Sequence, residues 1–326
     1  MVDEAESPFL FAYLLDGHGH GQPIDAAGVE AWTPDQGVLW VHLDVLNPAA
    51  RQWLSARSDI DNLARENLLA GETRPRVVPE SDSLLLVLRG VNTNPGADPD
   101  DMVSIRVWID ANRIISSRRR KLLSVFDIRD SLDAGKGPTT PSAFVVNLVE
   151  RLADRIGHVV DAIEEAIEEF EAQAAENTTH SFRSALAARR RETAAIRRYL
   201  APQRDALDRL YRHPGSYFSE KEANELREQS DRITRYLEDL ELARERAIVL
   251  QEEFQNRMAQ EQNARVYLLS VVAAVFLPLT FVTGLLGMNV AGLPGTETPY
   301  AFFISLTVMG LLGIALVVFF RWKRWI

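Results

Sequence analysis

The sequence predicts a soluble α+β region, a long helical stalk and a C-terminal two-helix transmembrane hairpin. Three observations carry that prediction. Of the 36 Lys and Arg and the 46 Asp and Glu in the chain, only Glu297, Arg321, Lys323 and Arg324 lie at or beyond Val266. Val266–Leu286 and Tyr300–Phe320 are each 21 residues without a charge, and about 20 residues rising 1.5 Å each cross a hydrocarbon core. From Ser219 to Leu286 no glycine occurs before Gly284 and no proline before Pro278, so a single helix should run from the soluble part into the first span. The expected regions are residues 1–135, a cytosolic α/β domain; 136–265, a helical region and stalk; and 266–326, the hairpin with a basic tail.

Charge narrows the function classes. The formal net charge is −10 and the segment from Val266 carries +2, leaving −12 on the rest. An acidic body excludes a nucleic-acid partner, whose phosphates demand a basic face, and favours cations. The chain has no cysteine, which removes disulfides and thiolate metal sites. Met1–Ser7 is acidic, with no apolar run behind a basic end, so no secretory signal is expected there.

Taken in order, Val38–Leu43, Ser83–Val91 and Met102–Ile109 read as strands bounded by Asp, Asn, Gly and Pro, with helical spacing over Pro48–Ala56 and Ile60–Ala70. The chemical suspects here are His18, His20 and His42. None has a second ligand cluster at a diagnostic spacing, so zinc at His18 and His20 competes with a plain glycine-rich loop. After Pro141 an apolar stripe from Phe144 through Leu148, Leu152, Ile156, Val159, Ile163 and Ile167 to Phe170 marks a long amphipathic helix. Its acidic positions, including Asp161, Glu164, Glu168 and Glu171, should repel one another. They are expected either to meet the arginines of the next helix, Ser181–Tyr211, or to bind divalent cations.

Ser219 and Glu222 form a capping-box pattern that starts the last soluble helix. Leu226, Ile233, Leu240, Ala247 and Phe254 recur every seven residues along it, predicting a supercoiled stalk with neighbouring helices. Around the spans, the tail Arg321-Trp322-Lys323-Arg324-Trp325 is basic and aromatic, whereas the loop from Gly287 to Pro299 carries only Glu297. The positive-inside rule then puts both termini in the cytoplasm and the loop outside. No nucleophile–base pair or phosphate loop is visible, so no catalytic role is expected.

The first span ends Pro278-Leu279-Thr280-Phe281-Val282-Thr283-Gly284-Leu285-Leu286-Gly287-Met288-Asn289. With its Gly-Met-Asn tripeptide, a short loop, a second span and a preceding stalk, the chain resembles the CorA family of divalent cation transporters over nearly its whole length. Gly292-Leu293-Pro294-Gly295, Glu72-Thr73-Arg74-Pro75-Arg76 and Arg198-Tyr199-Leu200-Ala201-Pro202-Gln203-Arg204 resemble its ZntB branch, which is associated with zinc. The resemblance implies a homopentamer in the cell inner membrane, an axial pore along the first span, and Gly287, Met288 and Asn289 as the selectivity motif at the outer mouth. It implies zinc as the transported ion, with cobalt, nickel and cadmium beside it, no bound cofactor, and a proton gradient as driving force, although no Asp, Glu, His or Lys lies inside either span.

Helical steps back from Asn289 place Thr280, Leu277, Ala273, Leu269 and Val266 on one face, with Gln262, Gln255 and Glu252 below. These are the candidate pore-lining residues, and Glu297 is a candidate in the outer loop. Each also has an ordinary reading: packing for the apolar residues, helix termination for Gly287 and Asn289. A magnesium channel of the same architecture and a non-conducting membrane-tethered scaffold remain alternatives.

Overall fold

The computed structural model describes residues 7–57, 59–71, 74–80, 82–174, 180–215, 217–288, 293, 295 and 298–323. The chain divides into two compact units, Met1–Gln251 and Glu252–Ile326.

In the first unit, β1 (Phe11–Leu15), β2 (Gly21–Pro23), β3 (Val38–Asp44), β4 (Arg76–Pro79), β5 (Leu84–Gly90), β6 (Val103–Ile109) and β7 (Arg113–Arg118) form one sheet in the order β2-β1-β3-β7-β6-β5-β4. All neighbours are antiparallel except the central pair β3 and β7. The short helices α1 (Ala26–Ala31), α2 (Pro48–Ala56) and α3 (Asn62–Leu69) join the early strands. Alternation along the strands splits the side chains between two cores. On one face Leu39, Val41, Leu85 and Ile115 pack with Leu54 of α2 and Leu68 of α3. On the other, Leu86, Leu88, Ile105 and Val107 pack under α4 (Leu123–Asp133) and α5 (Pro141–Gln173).

The expected stripe on α5 is buried from Phe144 to Ile167, and Phe170 is half-buried against the same core. That core continues along α6 (His180–Arg212) and the first part of α7 (Glu220–Leu286). Two expectations change here. Leu226, Ile233, Leu240 and Ala247 are buried within this chain's own core, so the seven-residue repeat is satisfied by α5 and α6 and is not, to that point, a seam between copies. Among the described residues the acidic face of α5 is met by α7 and not by the arginines of α6: Arg246 donates from Nε to Glu171 Oε1 at 2.7 Å, and Arg232 Nη2 lies 2.7 Å from Asp154 Oδ1. An arginine of α6, Arg197, pairs instead with Glu241 of α7. One helix thus supplies bases to α5 and an acid to α6.

The start of α7 has the expected cap. Ser219 N–H donates to Glu222 Oε2 at 2.8 Å and Glu222 N–H donates to Ser219 Oγ at 3.3 Å, satisfying two of the free donors of the first turn. Ser142 donates to the same carboxylate at 2.6 Å, tying the start of α7 to that of α5. In the second unit α7 continues to Leu286 and α8 spans Ala301–Trp322. Both satisfy the length and hydropathy needed to cross a membrane.

Candidate ion-conduction site

At 3.6 residues per turn, successive residues are separated by about 100°, and Glu252, Gln255, Gln262, Val266, Leu269, Ala273, Leu277 and Thr280 then share an arc of about 100° on α7. Seven of these eight are exposed, with Val266 at 55%, Leu269 at 70% and Leu277 at 67%, and Ala273 is intermediate. The opposite face belongs to α8. Val275 and Leu279 line a groove with Met309, Gly310 and Gly313, and a Cβ on Gly313 would lie 3.8 Å from Leu279 Cδ1. Leu277 and Leu279 are two residues apart, hence about 200° around the helix. The intramolecular hairpin therefore uses one side of α7 and leaves the predicted stripe open.

The stripe changes character along its length. Its inner part is polar, with one carboxylate at Glu252 and carboxamides at Gln255 and Gln262, and from Val266 it is apolar until Thr280. Gly284 continues it by one more step of four, a position that the sequence reading did not single out although the spacing contains it. A Cβ added at Gly284 would meet nothing within 4 Å. A helix-interior glycine costs roughly 0.5–1 kcal/mol relative to alanine, and packing within this chain gives no reason for it.

The helix ends at the signature motif. Gly287 N–H donates to Thr283 O at 2.9 Å and Met288 N–H approaches Leu285 O at 3.5 Å, closing α7 just before Asn289. The carbonyls of this last turn form the partially negative end of the helix. Met288 is 46% exposed. Asn289 and Glu297 lie outside the described residues.

The histidines are elsewhere. His18 and His20 are exposed in the turn between β1 and β2, where both backbone N–H groups donate to Asp16 Oδ1, at 2.7 and 3.1 Å. This is turn chemistry, with Gly17 and Gly19 at positive φ on either side of His18. His42 is fully buried on β3, its Nδ1 2.8 Å from Ser116 Oγ and its ring stacked on Phe11. Burial, and secondarily the charge of Arg118, push its pKa down to about 3. Among the described residues no group of three or more His, Asp or Glu side chains is placed to hold a metal ion.

Residues 35–324 match the family model described as CorA-like Mg2+ transporter protein. The chain belongs to this family. Within it, the chain is 40% identical over 331 residues to the divalent cation transporter CmaX of Pseudomonas aeruginosa, covering 98% of both sequences. It is 35% identical over 318 residues to the zinc transport protein ZntB of Pectobacterium carotovorum, covering 97% of this chain and 96% of the relative. The solved structure of full-length CmaX superposes with a TM-score of 0.87 over 100% of both chains at 39% identity. The α+β region, long α7 and C-terminal apolar pair of this CorA-family chain are therefore the family's architecture.

The segment Arg198–Arg204 has a structural use in this chain. Gln203 Oε1 accepts the buried backbone N–H of Arg89 at 2.7 Å, and the Arg89 guanidinium lies 3.9 Å from the centroid of the Tyr199 ring. These contacts seat α6 on the end of β5.

Proposed function

We propose that this protein carries divalent cations across the cell inner membrane through a pore formed by several copies of α7, with zinc preferred. The observation that carries the reading is the open stripe from Glu252 to Thr280, turned away from α8 in a chain of the CorA family. Carboxamides at Gln255 and Gln262 offer oxygens that accept hydrogen bonds from the waters of a hydrated ion. Leu269 and Leu277 are the hydrophobic constrictions, Thr280 adds a hydroxyl, and the α7 carbonyl end with Gly287, Met288 and Asn289 attracts the cation at the outer mouth. The carboxamide oxygen of Asn289 accepts hydrogen bonds from the ion's waters without a full charge, which lets the ion leave. With no cysteine in the chain and no histidine in either span, zinc passes hydrated and is not held by its favoured soft ligands. The choice of zinc rests on similarity to ZntB. A magnesium channel is the second reading, favoured by the description of the family model. Both termini face the cytoplasm, the assembly is a homopentamer, and a proton gradient drives transport.

The test is ion-resolved uptake by the purified protein in liposomes, with zinc, cobalt, nickel, cadmium or magnesium, each with and without a pH difference. Zinc uptake above magnesium uptake under matched gradients, enhanced by the proton gradient, is the expected result. Magnesium exceeding zinc selects the second reading, and no flux of any ion leaves a membrane scaffold. Asn289→Ala should assemble normally and lose at least about tenfold in flux, the scale of the lost hydrogen bonds to the ion's waters. Unchanged uptake would reduce the tripeptide to a helix terminus.

A further inference from the structure

In an acidic chain, one end of the sheet is strongly basic. The strand register puts Arg76 of β4, Val87 of β5, Arg106 of β6 and Ser117 of β7 in one row across the sheet. Ser117 Oγ donates to Leu68 O of α3 at 2.6 Å, so the row faces the α3 side, and two residues beyond Ser117 the same face leads to Arg119.

Arg106 is fully buried. Its Nη2 donates to Gly71 O at 2.6 Å, but its Nε and Nη1 have no hydrogen-bond partner among the described residues, which leaves at least three of the five N–H donors of a guanidinium unused. Its charged surroundings are like-signed: burial, then Arg119, Arg89 and Arg76, push its pKa down to about 10, still far above neutrality. Arg76 is hydrogen-bonded to Asn67 of α3, and Arg119 is exposed. Gly71 closes over the pair so tightly that a Cβ there would lie 2.6 Å from Arg119 Nη1.

A buried guanidinium with unused donors, surrounded by further cations, is costly unless an anion meets it. We propose that Arg106 and Arg119 bind a small oxyanion of the phosphate class. Guanidinium donors match the several acceptor oxygens of a tetrahedral anion. Arg106 supplies the buried floor and Arg119 the solvent-facing side from which the anion enters. The site lies on the sheet of the soluble unit, so its occupancy is read from the stability of that unit, independently of transport.

The experiment is thermal unfolding of the full-length protein in detergent, followed by tryptophan fluorescence without divalent cations. Inorganic phosphate, sulfate or ATP is titrated against chloride at fixed ionic strength. Phosphate is expected to raise the midpoint saturably by at least about 2 °C. Sulfate acting like phosphate assigns the site to free oxyanions, and ATP acting at lower concentration assigns it to the phosphates of a nucleotide. Arg119→Gln, at an exposed position, should raise the half-saturating concentration at least about tenfold, and Arg106→Met should abolish the shift. A wild-type midpoint that does not depend on phosphate at matched ionic strength overturns the proposal. So does chloride acting as well as phosphate, or an Arg119→Gln chain with unchanged half-saturation. The wild-type and Arg119→Gln curves decide the matter even if Arg106→Met does not fold.

Discussion

Held inside the sheet, His42 has neither room for a charge nor a partner that would stabilise one. Its Nδ1 shares Ser116 Oγ with the indole N–H of Trp40, which donates to that oxygen at 2.8 Å, and its Nε2 has no partner among the described residues. The ring is thus a neutral packing element, and a metal at His42 would require burying an ion among Phe11, Trp40 and Arg118. The linkage follows in sign. The folded pKa, about 3, lies below the unfolded value near 6.5, so below pH 6.5 the unfolded chain takes up a proton that the folded chain refuses. The stability tied to His42 is complete above pH 6.5 and falls as pH drops toward 3. Between pH 7 and 5.5 the loss should be about 1 kcal/mol, before most carboxylates titrate. Urea unfolding of the protein in detergent at the two pH values, compared with His42→Leu, tests this: the variant should lose most of that difference. An equal slope in both chains would place the titration on another group.

At the scale of elements, the legible parts were those that many residues specify together. The α5 stripe, the Ser219–Glu222 cap and the unbroken run of α7 are written in spacing and in the absence of breakers, and α2 occupies Pro48–Ala56 as read. The missed strands β1, β2, β4 and β7 are short, or polar at both ends like Arg113–Arg118. Their strand state depends on neighbours in the sheet more than on their own alternation. The seven-residue repeat showed that α7 has a buried side but not what buries it, because an apolar stripe is the same whether its partner is another copy or this chain's α5. Gly157 marks where that packing is tightest. A Cβ there would lie 2.5 Å from Tyr236 Oη and 3.0 Å from Cζ, and Arg232 Nη2 donates to Tyr236 Oη at 3.1 Å. Glycine to alanine inside a helix ordinarily stabilises by roughly 0.5–1 kcal/mol. Gly157→Ala should reverse that sign and destabilise by about 1–3 kcal/mol, because the ring cannot withdraw without losing the arginine. In a double-mutant cycle, adding Tyr236→Phe should recover part of the loss. Additive effects would mean that α5 and α7 do not compete for this space.

For the whole molecule the question is what covers the open side of α7. Leu226, Ile233, Leu240 and Ala247, the seven-spaced residues, are buried in this chain's own core, while Leu242 and Val249 beside them are exposed; along the seven-spaced seam the need for other copies therefore begins beyond Gln251, where the second unit begins. There the stripe from Glu252 to Gln262 carries carboxamides and a carboxylate just before the apolar section that begins at Val266, a suitable lining for a wet axis that leads into the span. Two spans cannot enclose such an axis alone, so the protein should be a homo-oligomer, with five copies as the expected number, and native mass spectrometry in detergent should count them. The absence of cysteine allows a sharper measurement. Leu277→Cys, on the open face, should form disulfide-linked pairs of chains under mild oxidation in membranes. Leu279→Cys, about 200° away and facing the Met309–Gly313 segment of α8, should not. Cross-linking from position 279 with none from 277 would turn the helix by half a revolution relative to the axis, and every pore assignment from Val266 to Thr280 would move with it. Chains that stay single in both variants, and that transport cations as monomers, would remove the axial pore altogether.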